Sequence, residues 1–215
     1  MLVLKNFSAG HQNALFQPVD LEILPGKLYA IAGRNGTGKS TLLYSLLKII
    51  PVWQGDVLYN GKSINEYSQR EWAQIMSAVF SRISQLPTVR SGEILTLGAE
   101  NLQSELKEQI INKLKIEGLL SQSLSILSDG QLQRLLIARS LMQNTAIIAM
   151  DEPTAHLDYY ARIEVFEILK DICADMGKTI IVISHEIDLI KKYADHVLLI
   201  EDKKLQSLSP SEFHF

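Results

Sequence analysis

The 215-residue chain contains a single cysteine, Cys173, so neither an intrachain disulfide nor a cysteine-built zinc site can form, which fits a reducing compartment. No window reaches the roughly 18 to 20 consecutive apolar residues that a membrane-crossing helix needs. The opening residues, MLVLKNFSAGH, lack the basic start and apolar stretch of a secretory leader, so the chain is expected to stay where it is made. Positive charge is not in excess: 21 Lys and Arg against 24 Asp and Glu give a formal net charge of −3, no support for binding nucleic acid through bulk charge. Internal repeats are missing, which removes solenoid architectures. With 47% hydrophobic and 21% charged residues, what remains is a globular chain with room for one substantial core, or a core carrying a smaller insertion.

Strand-like runs fill the first third: LVLKNF, VDLEIL closed by Pro25-Gly26, KLYAIAG, and DVLYNGKSI with Asn60-Gly61 as its turn. Later, AIIAM, TIIVIS and HVLLIE are continuous apolar runs of the kind buried on both faces, separated by helical segments over 159–176 and 186–193. From about 82 to 144 strands give way to the helical patterns SGEILTLG, SELKEQIINKLKIEGLL and SDGQLQRLLIARSLM. This order predicts an α/β core with a mainly parallel sheet, interrupted by a helical insertion that leaves and rejoins it.

Chemistry concentrates first at GRNGTGKS, Gly33 to Ser40, which fits G-x-x-x-x-G-K-[ST] between an apolar strand and the helix-forming run TLLYSLLKII. Gly33, Gly36 and Gly38 free the backbone to turn successive N–H groups toward a phosphate chain, and the following helix adds its positive end. Lys39 would reach the β and γ phosphates, and the Ser40 hydroxyl would ligate Mg²⁺. With Arg34, Asn35, Thr37 and Thr41 these residues make up the expected triphosphate site. A ligand-free turn would gain nothing from a lysine and a hydroxyl at those places.

The second concentration is Asp151-Glu152, at the carboxyl end of the buried run IIAM, the edge where open α/β sheets bind ligands. Asp151 would hold Mg²⁺, and Glu152 would accept a proton from the water that attacks the γ-phosphate. His185 follows the parallel run TIIVIS and could reach the γ-phosphate from the same edge. A strand ending in acids, or one histidine in a turn, is ordinary in isolation; beside the glycine loop both acquire a purpose.

LSDGQLQR, at Leu127 to Arg134, resembles the LSGGQ signature of the ATP-binding cassette (ABC) ATPases. GRNGTGKST before it, AIIAMDEPTAHLD after it and ISHE later stand in that family's order, so the resemblance spans almost the whole chain. It implies a P-loop NTPase core with an antiparallel β subdomain and a helical signature subdomain. Within a single domain over 1–215, the core would take 1–81 and 144–215 and the signature subdomain 82–143. It also implies a head-to-tail dimer in which two ATPs lie between the loop of one copy and the signature of the other. Ser128, Gly130 and Gln131 would then face the partner's nucleotide, with Asp158 in the loop that communicates across the seam. Ser128 is placed to cap the helix after it, with its hydroxyl left to offer a donor.

Three positions depart from the family pattern. Asp129 replaces a glycine of the signature. His11 stands where relatives stack an aromatic side chain on adenine. The glutamine that joins core and insertion is replaced by Ser81, with Gln85 as the alternative. SAVFSRI, TVRSGEILTLG and DEPTAHLD are most similar to ATPases of the importers for iron-siderophores, haem or cobalamin. The resemblance thus implies a separate membrane-spanning permease as partner, a second copy of the chain, and a cytoplasmic place on the inner face of the membrane. No nucleic-acid partner is expected. The other classes are a soluble cassette acting on nucleic acid or ribosomes, another import or export system, and a cassette that binds ATP without turnover. Thr41 to Leu127 holds no sustained heptads, one cassette is present, and Glu152 and His185 argue for turnover.

Overall fold

The structure, a computed structural model, describes residues 1–80, 89–97, 99 and 102–214. The apolar runs form the strands they predict. Strands β1 (Leu2–Ser8), β2 (Val19–Ile23) and β3 (Leu28–Gly33) lead into helix α1 (Lys39–Leu46), followed by β4 (Gln54–Tyr59) and β5 (Lys62–Ser63). Helix α2 (Gln69–Ala73) and strand β6 (Met76–Phe80) precede three helices, α3 (Ser91–Thr96), α4 (Ser104–Lys113) and α5 (Asp129–Met142). The chain then alternates through β7 (Ile147–Asp151), α6 (Tyr159–Met176), β8 (Thr179–Ile183), α7 (Ile187–Tyr193), β9 (His196–Glu201) and β10 (Lys204–Leu208).

Two sheets result. One is antiparallel, in the order β2-β1-β4-β5; the other runs β10-β9-β3-β8-β7-β6 and is parallel except for its β10–β9 edge pair. The central strands of the parallel sheet are buried on both faces, and their residues divide by the pleat. Ala30, Ile148, Met150, Ile180 and Val182 point into a core shared with the helices α3 to α6. Ile31, Ile147, Ala149, Ile181 and Ile183 point to the other side, where they meet Leu42, Leu43 and Leu46 of α1 and Leu4, Phe7 and Val57 of the antiparallel sheet. Helix α1 is thus wedged between the two sheets.

Two helical patterns end sooner than the sequence suggests. The run TLLYSLLKII stops at Leu46 because Lys48 turns left-handed, with φ 58, and its ammonium donates to the carbonyls of Ile64 (2.7 Å) and Tyr67 (2.6 Å). SELKEQIINKLKIEGLL breaks after Lys113. Ile110 and Leu114, four residues apart, share the buried face of a helix, but Ile116 would point away from it. A left-handed Lys115, φ 51, turns Ile116 inward, and all three are fully buried.

Helix α5 is fixed at its carboxyl end by a buried hydroxyl cluster. Ser77 Oγ of β6 lies 2.7 Å from Ser140 Oγ and 2.8 Å from Thr145 Oγ1, and Thr145 donates to the Ile147 carbonyl at 2.9 Å. The three hydroxyls satisfy one another where water is excluded.

Candidate functional site

Strands β3, β8 and β7 are parallel neighbours, so their carboxyl ends open on one edge of the sheet. β3 delivers the loop that begins at Gly33, β7 delivers Asp151-Glu152, and β8 delivers Ser184-His185. The edge lies where doubly wound sheets bind ligands.

The loop needs its glycines for measurable reasons. Gly33 has φ 147, and a Cβ there would come within 2.5 Å of the Ile200 carbonyl oxygen. Gly38, φ 104, precedes α1 in the left-handed region, and a Cβ would sit 2.6 Å from the Leu15 Cδ1. Among the described residues no side chain caps α1, so the N–H groups of its first turn remain available to an anion. Lys39 is buried at 6% exposure and spans the loop from inside, its ammonium donating to the carbonyls of Gly33 (2.9 Å) and Arg34 (3.0 Å). Burial draws its pKa down, and the charges of Glu152 and Asp151 partly oppose that shift.

Glu152 sits in the left-handed region, φ 49, a costly place for a side chain without glycine's freedom. Its backbone N–H donates to the Ile183 carbonyl at 3.1 Å, which ties the strained residue to the neighbouring strand. The carboxylate Oε1 lies 3.1 Å from His185 Nε2, with both side chains open to solvent. An ionised carboxylate only accepts, so the pair requires the proton on Nε2. Strain and a directed histidine together hold one carboxylate in one attitude.

Two participants left no mark in the sequence. Tyr44, one turn into α1, donates its hydroxyl to Asp151 Oδ2 at 2.7 Å, and burial followed by this hydrogen bond pushes the phenol up to about 12, so it remains a donor. Arg162, in α6, donates Nε to the Leu157 carbonyl at 2.7 Å and NH1 to Glu186 at 2.6 Å, joining the 152–158 loop to the residue after His185. Neither belongs to a recognisable motif, and only tertiary folding brings Tyr44 to Asp151 and Arg162 to Glu186.

The remaining predicted residues gather elsewhere. Ser128, Gly130, Gln131 and Asp158, with Asp129 and His156, line a second cleft of about 440 Å³ that no residue of the glycine loop lines. Ser128 caps α5 in a reciprocal box: its hydroxyl accepts from Gln131 N–H at 3.3 Å, and its own N–H donates to Gln131 Oε1 at 3.0 Å. The serine oxygen is therefore engaged rather than free, as is the Gln131 amide oxygen, while the hydroxyl proton can still be donated outward. Asp158 caps α6, accepting from Ala161 N–H at 2.9 Å. His11 lies exposed in the segment that also carries Leu15, whose side chain covers Gly38. Ser81 and Gln85 lie outside the described residues.

The family model described as "ABC transporter" matches residues 16–155. The chain belongs to the ABC transporter family. It is the ATP-binding, ATP-hydrolysing component of such a system, which supports the transporter reading over a soluble cassette. Among curated ABC relatives, the achromobactin transport ATP-binding protein CbrD of Dickeya dadantii is 33% identical over 199 residues, covering 86% of this chain and 72% of the relative. The petrobactin import ATP-binding protein FpuD of Bacillus anthracis is 31% identical over 215 residues, covering 94% and 77%. Among solved ABC structures, cbiO1 of Clostridium perfringens superposes with a TM-score of 0.88 at 26% identity, covering 98% of this chain and 89% of that one. Among the described residues, no helix is long and apolar enough to cross a membrane.

Proposed function

We propose that this ABC ATPase binds MgATP at the sheet edge, hydrolyses it between two copies, and drives import of an iron-siderophore or related chelate through a separate membrane-spanning permease. The observation that carries the catalytic part is the Glu152–His185 pair, 3.1 Å apart at the mouth of the glycine loop. Residues 33–41 would wrap the phosphates, and Lys39 would exchange its two carbonyl acceptors for phosphate oxygens, an exchange favoured by opposite charge. Glu152 would take the proton of the attacking water while His185 holds the carboxylate and faces the γ-phosphate. His11 would flank the adenine.

The residues present suit magnesium. Ser40 and Tyr44 are four apart on one face of α1, and Tyr44 touches Asp151, so a hydroxyl and a carboxylate converge on one side of that helix. Among the described residues no three His, Cys, Asp or Glu side chains form a self-contained metal site. Two hard oxygen donors match Mg²⁺, which is commonly held by one or two carboxylates together with substrate phosphates. When bound, it would neutralise charge developing on the phosphates.

The separation of the second cleft from the loop fits a site completed by another copy, the Ser128 hydroxyl and the start of α5 facing the partner's γ-phosphate and Asp158 lying at the seam. Residues 82–143 would move as the unit that grips the permease. Asp129 would place a carboxylate against that incoming charge. Asp129→Gly in a Glu152→Gln background should tighten the ATP-dependent dimer by about 30-fold, as expected for removing one like charge at contact distance in water, about 1 kcal/mol, at each of its two seams. Sedimentation showing an unchanged dimer constant would count against the placement.

The siderophore reading rests on the two import and transport relatives. Co-expressed with a permease encoded beside it, the chain should copurify with that membrane protein and support ATP-dependent uptake of a ferric chelate into proteoliposomes. Uptake that proceeds equally without the chain would refute the assignment.

A further inference from the structure

The side chain that fixes the attitude of Asp151 comes from α1, not from the sheet. Tyr44 donates to Asp151 Oδ2 at 2.7 Å. Its ring is held in turn by Phe80, which meets it edge-on with centroids 5.9 Å apart and an interplanar angle of 73°. Phe80 pairs in register with Asp151 across the β6–β7 ladder, so tyrosine, phenylalanine and carboxylate brace one another at the end of two strands. The hydroxyl occupies Oδ2, and among the described residues no hydrogen-bond donor engages Oδ1. A carboxylate fixed in this way loses little rotational freedom when it takes up a ligand.

We infer that Tyr44 is a positioning residue for the divalent cation, presenting Oδ1 of Asp151 toward the Ser40 end of α1 by engaging Oδ2. The inference rests on the reading of Asp151 as a metal-binding residue. It differs from that reading in assigning the metal affinity jointly to a tyrosine that touches neither nucleotide nor cation. Outer hydrogen bonds of this type commonly contribute tenfold or more to metal affinity.

Tyr44→Phe removes one oxygen and keeps the ring against Phe80. Mn²⁺ binding to the purified full chain, followed by electron paramagnetic resonance with equimolar ADP, should weaken by about tenfold. ADP affinity measured in EDTA should match the parent, because the glycine loop is untouched. Asp151→Asn serves as the reference. If Asp151→Asn weakens Mn²⁺ while Tyr44→Phe stays within twofold of the parent, the positioning role is overturned and Asp151 retains its own. Should both variants bind Mn²⁺ as the parent does, the assignment of Asp151 falls as well. Tighter Mn²⁺ binding in Tyr44→Phe, or a loss of ADP affinity in EDTA, also overturns the inference, since the hydroxyl would then compete with the cation or support the loop.

Discussion

Glu152→Gln protein should bind ATP at least as tightly as the parent and release phosphate about 10² to 10⁴ times more slowly, the usual contribution of a general base. The geometry makes this substitution clean. The amide is nearly isosteric with the carboxylate, so the 3.1 Å contact to His185 survives with the amide oxygen as acceptor. The backbone is equally unaffected: φ 49 and the N–H bond to the Ile183 carbonyl depend on the main chain, not on the charge. What disappears is the capacity to take a proton. If two copies close around ATP, the variant should also accumulate as a nucleotide-dependent dimer in sedimentation, because the step that opens it has been removed. Parent-like phosphate release from Glu152→Gln would transfer the base to another group and dismantle the account of the sheet edge.

Lys39→Ala should fail earlier, at binding. The buried ammonium donates to two loop carbonyls, at 2.9 and 3.0 Å, and its removal leaves those oxygens without their donor as well as depriving the phosphates of a cation. Hydrogen bonds to a charged group are worth about 1.5–3 kcal/mol each, so a loss of one such contact corresponds to about 10- to 100-fold in affinity. Fluorescent ATP-analogue titration should show that loss in Lys39→Ala and none in Glu152→Gln. Equal affinities for the two variants would mean that the loop holds phosphate by its backbone alone.

How much of this was readable beforehand depended on the range of the interaction. The central strands announced themselves because AIIAM and TIIVIS are apolar without alternation, the mark of burial on two faces, and the glycine loop because its spacing is dictated by phosphate geometry. Asp151, Glu152 and His185 could be placed on one edge once those strands were taken as parallel. Helix ends were less legible: the break at Lys115 follows from where Ile116 must point, and that is known only after Ile110 and Leu114 have found the core. The strain at Glu152 had no counterpart in any local pattern, nor had the bonds from Tyr44 to Asp151 and from Arg162 to Glu186, which join residues from separate stretches of chain. The capping box at Ser128 lay between these cases. The serine just before DGQLQRLLIARSLM foretold the cap, but not the reciprocal bond from its own N–H to the Gln131 amide oxygen.

The hydroxyl cluster at Ser77, Ser140 and Thr145 makes the far end of the LSDGQ helix a pivot. Ser128 stands twelve residues from Ser140, about 18 Å along an α-helix, so a swing of only 10° about the pinned end displaces Ser128 by about 3 Å, roughly the length of a hydrogen bond. A small rocking motion at the sheet edge would thus be enough to make or break contact with a phosphate at the helix tip.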